Sequence, residues 1–124
     1  MAKWCNDTIL DTALAYIKTN AVKAHVCSAM PTTYTEANAT YMLANSEAID
    51  LSGITLLNGD TSGRKLAVPE IAAVTITNSG DAKFVALTNG SDTLLYVTDC
   101  TQQTLTAANL VTIPAWDIEL RDPS

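Results

Sequence analysis

The chain's one imidazole is His25, and Cys27 stands two residues beyond it in the stretch KAHVCSA. A histidine beside a thiol is the pairing that activates a cysteine nucleophile, with the imidazole taking the thiol proton. On a strand, residues two apart share a face, so this spacing would set both groups on one surface. Nucleophilic pairs, however, draw their members from separate elements that meet in space. The reading favoured here is therefore an ordinary strand histidine on a sheet surface. The chain also lacks the G-x-S-x-G elbow of serine hydrolases.

A second candidate is NGDTSGRK, residues 58–65. A phosphate loop needs G-x-x-x-x-G-K-[ST] between a strand and a helix. Gly59 and Gly63 are one residue too close, Arg64 stands where the lysine belongs, and Leu66 follows Lys65 in place of a hydroxyl. The following KLAVPEIAAVTIT carries Pro69 and β-branched residues, which predict strand and not the helix N-terminus that cradles phosphate. The stretch reads as a polar surface loop with two left-handed backbone positions.

Metal chemistry finds no better footing. Cys5, Cys27 and Cys100 form no C-x-x-C pair, and with one histidine they do not supply four ligands at a zinc spacing. Asp99, Asp117 and Asp122 lack the dense spacing of a calcium loop, and Asp60, Asp81 and Asp92 fall in turns. Nothing in the sequence pairs Glu70 with Glu119 as acid and base. Trp4, Trp116 and the tyrosines are too dispersed for a stacking platform. The expectation is no catalytic, cofactor-binding or metal-binding residue, and no enzyme.

The elements that must carry these residues are those of a single domain spanning 1–124. Apolar residues make up 48% and charged residues 16%, a balance that favours a packed core over disorder. The formal charge is -6, and the seven basic residues are scattered, which argues against a nucleic acid partner. No apolar run reaches the length of a membrane span, and none reads as a signal peptide. Reduced thiols, packed as small buried hydrophobes, are therefore expected. A Cys5–Cys27 bridge has only its proximity to the first helix and strand in its favour.

Ile9, Leu10, Ala13, Leu14 and Ile17 predict an amphipathic helix over about 7–19, capped by Asn6 or Asp7. Residues 23–122 read as β-rich. KAHVCSA is the first strand, Thr33 with Glu36 resembles a capping box for a short helical turn, and 50–65 is loop. KLAV, AAVTIT, AKFVALT and TLLYVT, divided by turns at 78–81 and 89–91, predict an antiparallel meander. In AWDIELRD, the alternation of Trp116, Ile118 and Leu120 with acidic residues predicts a last strand with one buried face, at or near a sheet edge. The fold class is mainly β: an antiparallel β-sandwich or small barrel with one N-terminal helix.

The stretches VCSAMPTTYTEA (26–37), GDTSGRKLAV (59–68) and NLVTIPAWDIELRDP (109–123), together with the opening helix, resemble small virion structural proteins of tailed bacteriophages. The resemblance spans nearly the whole chain and rests on turn and strand patterns. It implies a capsid decoration or cement protein that is made in the host cytoplasm and carried on the virion. Its partner would be the major capsid protein or another virion protein, with no cofactor. A receptor- or glycan-binding module on a tail or head fibre is the alternative. On this reading Arg64 and Lys65 would pair with carboxylates of a neighbouring subunit. Trp116, Ile118 and Leu120 would serve the core or an interface, and the edge strand predicts a homo-oligomer, most simply a twofold dimer.

Overall fold

The structure is a computed structural model and describes residues 5–60 and 62–121. Trp4 and Asp122 lie outside them. Helix α1 spans Asp7–Asn20. Asn6 caps it, its Oδ1 accepting from the Thr8 N–H at 2.7 Å, and Asp7 in the first turn with Lys18 in the last complements the helix dipole.

The helix does not bury the whole stripe the sequence suggests. Leu10 and Leu14 are buried and Ile17 packs beside them, whereas Ile9 is 63% exposed and Ala13 is also exposed. Two apolar stripes run along this helix, 10–14–17 and 9–13–16, both at helical spacing. Only the first faces the sheet, and Tyr16 joins Ile9 and Ala13 on the second, exposed one.

Among the described residues nine strands follow: β1 Lys23–Cys27, β2 Met42–Asn45, β3 Leu57–Asn58, β4 Arg64–Val68, β5 Ile71–Thr75, β6 Gly80–Thr88, β7 Leu94–Leu105, β8 Leu110–Ile113 and β9 Trp116–Leu120. They form antiparallel sheets in the orders β2-β1-β6-β7, β3-β4-β9 and β5-β8. The fold is mainly β with one N-terminal helix, as the sequence predicts, and among the described residues none of the sheets closes into a barrel. One core joins them: Leu14 of the helix, Val26 and Leu87 of the first sheet, Leu66 and Ile118 of the second, and Val74 and Ile113 of the third.

The predicted meander is present only in the β6–β7 hairpin. There Gly90 takes φ 76°, and Asn89 Oδ1 accepts from the backbone N–H groups of Ser91, Asp92 and Thr93 at 2.9 to 3.0 Å. Strand β4 instead pairs with β9, Leu66 opposite Ile118, and β5 pairs with β8. The apolar faces of these distant strands match, and that match overrides sequence proximity. β5 is also bulged, with Ala73 at φ 58° where the register shifts between Ile71 and Val74.

Residues 28–41 fold over the outer face of β1. Thr33 Oγ1 accepts from the Glu36 N–H at 3.2 Å, half of the expected capping box. The Glu36 carboxylate accepts chiefly from Thr32, from its N–H and its hydroxyl at 2.8 Å each, which holds it below the usual carboxylate range. A π-helical turn, Glu36–Thr40, follows.

Candidate functional site

Along β1, Ala24 and Val26 join the main core, while His25 and Cys27 take the opposite face. The surface histidine expected from the sequence is not found: His25 is fully buried. The covering segment, with Ala37 and Tyr41 against Cys27 and the Tyr34 ring edge-on to the imidazole at 6.5 Å, closes a face that an open sheet would leave wet.

Both ring nitrogens are engaged. Nδ1 is hydrogen-bonded to Asn45 Oδ1, and Nε2 lies 2.7 Å from Thr88 Oγ1. The Asn45 oxygen is an acceptor, so the proton belongs on Nδ1, and Nε2 accepts from the Thr88 hydroxyl. Thr88 Oγ1 in turn accepts from the Gly90 N–H at 3.2 Å, and Asn45 Nδ2 donates to Asn38 Oδ1 at 3.5 Å. This chain of donors runs from the β6–β7 hairpin through β1 and β2 to the π-helical turn, and it satisfies buried polar groups that would otherwise be costly. Burial lowers the His25 pKa below its ordinary value; the Asn45 bond opposes that and nearby Lys23 reinforces it.

Cys27 is equally sealed, its thiol pointing to the Ala37 carbonyl at 3.7 Å. Burial, aided by the nearby Cys100 thiol, pushes its pKa up to about 12. A thiol so raised supplies no thiolate at neutral pH. All three cysteines are unbridged, as expected, but Cys100 is exposed and Cys5 half-buried, so only Cys27 behaves as a buried hydrophobe.

The loop at 58–65 closes on itself, the Gly59 N–H donating to the Gly63 carbonyl at 2.9 Å. Gly63 has φ 72°, and a Cβ there would lie 1.9 Å from the Leu120 carbonyl oxygen, so glycine is required. Arg64 and Lys65, expected to reach another subunit, are spent inside this one. Arg64 Nε donates to Asp11 at 2.8 Å, and its terminal nitrogens donate to Asn58 Oδ1 at 2.6 Å and the Leu56 carbonyl at 3.2 Å. Lys65 Nζ bridges Asp60 at 2.8 Å and Asp117 at 3.3 Å, hydrogen bonds that raise its pKa.

The expected face of β9 is likewise turned inward. Ile118 is 1% exposed and belongs to the core, so it offers no area to a partner, and Trp116 and Leu120 are partly buried against the same core. Trp116 Nε1 is buried with no hydrogen-bond partner among the described residues. β9 is an edge strand, as predicted, paired only with β4 among the described residues. Glu119 lies 3.6 Å from Arg121, while Glu70 lies in the short link between β4 and β5, outside any strand. Among the described residues no three metal-ligating side chains converge.

A cleft that sequence reasoning missed lies between residues 45–51 and 69–75, with a volume of about 410 Å³. Its charged lining residues are Glu47, Asp50 and Glu70. Local sequence carries no signal for it, because its walls are brought together by long-range contacts: the antiparallel bridge between Ala44 and Ile76 and the bonds of the Thr77 and Asn78 N–H groups to the Leu43 carbonyl. His25 and Cys27 are thus both enclosed by the fold and bonded within it. In comparisons with known proteins, no family model, curated protein or solved structure matches the chain.

Proposed function

We propose that this chain is a non-enzymatic structural protein of a tailed-bacteriophage virion, a decoration protein that binds the outside of the capsid lattice and stabilises the head. The family resemblance of its strand and turn stretches motivates the reading. The observation that carries it is the sealing of His25 and Cys27: the one imidazole and its neighbouring thiol are buried and serve the scaffold. A rigid β scaffold with open sheet edges, an exposed apolar helix stripe and a net charge of -6 suits attachment to a shell through its surface. Assembly as a homo-oligomer on the lattice belongs to the same reading, with the β9 edge as one surface for it.

The test is genetic and compositional. Virions grown without this gene product should lack the chain by mass spectrometry and lose resistance to heat or osmotic shock, and a particle map should lose density on the head surface. Mutant particles of unchanged robustness would remove the stabilising role. A glycan- or receptor-binding module would call for a concave site with aromatic side chains; the 410 Å³ cleft has no aromatic lining residue, whereas a separate depression of about 370 Å³ beside Pro69 and Asp117 carries Trp116.

A further inference from the structure

The cleft between residues 45–51 and β5 is where the fold leaves two strand-like walls unjoined. The chain segments meet at the antiparallel bridge Ala44–Ile76 and then part, with no strand pairing between them among the described residues. Each wall is tied on its far side. The Ser46 and Ile49 N–H groups donate to the Ala24 and Val22 carbonyls at 2.8 and 2.7 Å, and β5 pairs with β8. The inner backbone edge of β5 therefore borders the cleft. Leu51 and Val74 supply a buried apolar floor, and the exposed Glu47, Asp50 and Glu70 are the only charged residues lining it among the described ones. None of the three is ion-paired within the chain among the described residues.

We propose that this cleft receives an extended, lysine- or arginine-bearing segment of the capsid shell protein, added as a strand along the open edge of β5. The proposal rests on the decoration reading above. Main-chain hydrogen bonds to β5 would supply affinity, and the three carboxylates would select basic side chains and speed encounter. The same charge argues against a second copy of this chain as the occupant, since self-pairing would set these carboxylates against one another.

The experiment measures co-sedimentation of the purified protein with shells assembled without it, over a range of salt. Wild type should bind, more weakly as salt rises. Glu70→Lys and, independently, Glu47→Lys should each weaken binding by about tenfold or more. Asp99→Lys makes the same change of charge on exposed β7 and should bind as wild type. Melting curves show whether each variant is folded. Carbodiimide coupling in intact virions should join Glu47 or Glu70 to shell lysines. Groove variants that bind as wild type does, or lose no more than Asp99→Lys loses, overturn the proposal and leave the decoration reading standing. A wild-type dimer that the groove variants dissociate assigns the cleft to a second copy and also overturns it. Wild type that neither binds shells nor occurs in virions removes the decoration reading, and this proposal with it.

Discussion

Arg64 Nε donates to Asp11 Oδ1 at 2.8 Å, joining strand β4 to helix α1 across 53 residues of sequence. The same guanidinium also holds Asn58 and the Leu56 carbonyl, so one side chain fixes the helix, the 58–65 loop and the sheet together. The pair is partly exposed, at 20% and 34%, which limits its Coulombic worth. Arg64→Ala is expected to cost about 1 to 2 kcal/mol by denaturant unfolding, mostly through the lost hydrogen bonds. Arg64→Lys should recover only part, since an ammonium does not span three acceptors set around a planar fork. Unchanged stability in Arg64→Ala, with weakened shell binding, would return this residue to an interface role.

His25 predicts an acid-sensitive stability well above the carboxylate range. Burial lowers its pKa in the folded state, so the folded protein resists a proton that the unfolded chain accepts from about pH 6.5 downward. The stabilisation is complete above that value and is lost as pH falls toward the lowered folded pKa, with a slope of up to about 1.4 kcal/mol per pH unit. Glu36, Asp50 and Asp92 are themselves held low, so the stability they carry is lost only below their ordinary values of 4.5, 3.8 and 3.8. Unfolding free energies between pH 7 and 5 should therefore fall for wild type. They should stay level in His25→Gln, whatever its absolute stability. Equal slopes in the two proteins would show that the imidazole is not held neutral.

The thiols should separate by position. A disulfide-exchange reagent on the native protein should modify exposed Cys100 and half-buried Cys5, with Cys27 reacting only on unfolding, when the total reaches three. Cys100 will be slow for an exposed thiol, because partial burial and neighbouring Asp99 raise its pKa. Native reactivity of Cys27 at the rate of Cys100 would mean that the segment over β1 opens readily.

What the sequence reveals here is what local chemistry decides. Asn6 announces the helix start and Asn89-Gly90 the hairpin, because a cap and a left-handed turn act within a few residues. The choice between Ile9 and Leu10 as the buried residue is not local. Both stripes satisfy helical spacing, and only packing against β4 and β9 selects one. The pairing of β4 with β9 and the covering of His25 depend likewise on segments far apart in the chain. The NGDTSGRK loop was legible as a turn, and Asn58 and Asp60 within it hold Arg64 and Lys65, but the distant partners of these two cations were not legible, since Asp11 and Asp117 lie 53 and 52 residues away.

Trp116 carries the last prediction. Its ring packs against the core, while Nε1 is buried without a partner among the described residues. An unsatisfied buried donor costs about 1 to 3 kcal/mol, comparable to the apolar area that the larger ring gains over a phenyl. Trp116→Phe should therefore lie within about 1 kcal/mol of wild type, because lost area and relieved desolvation offset each other. Trp116→Ala relieves the same donor but removes the packing of the whole ring, and should cost about 3 kcal/mol, the low end for an aromatic truncation, because the residue is only partly buried. Chemical denaturation of the two variants measures both. A loss above about 2 kcal/mol in Trp116→Phe would mean that the indole N–H is hydrogen-bonded in solution. A stable Trp116→Ala that no longer associates would make the ring an interface anchor on the β9 edge instead of a core residue.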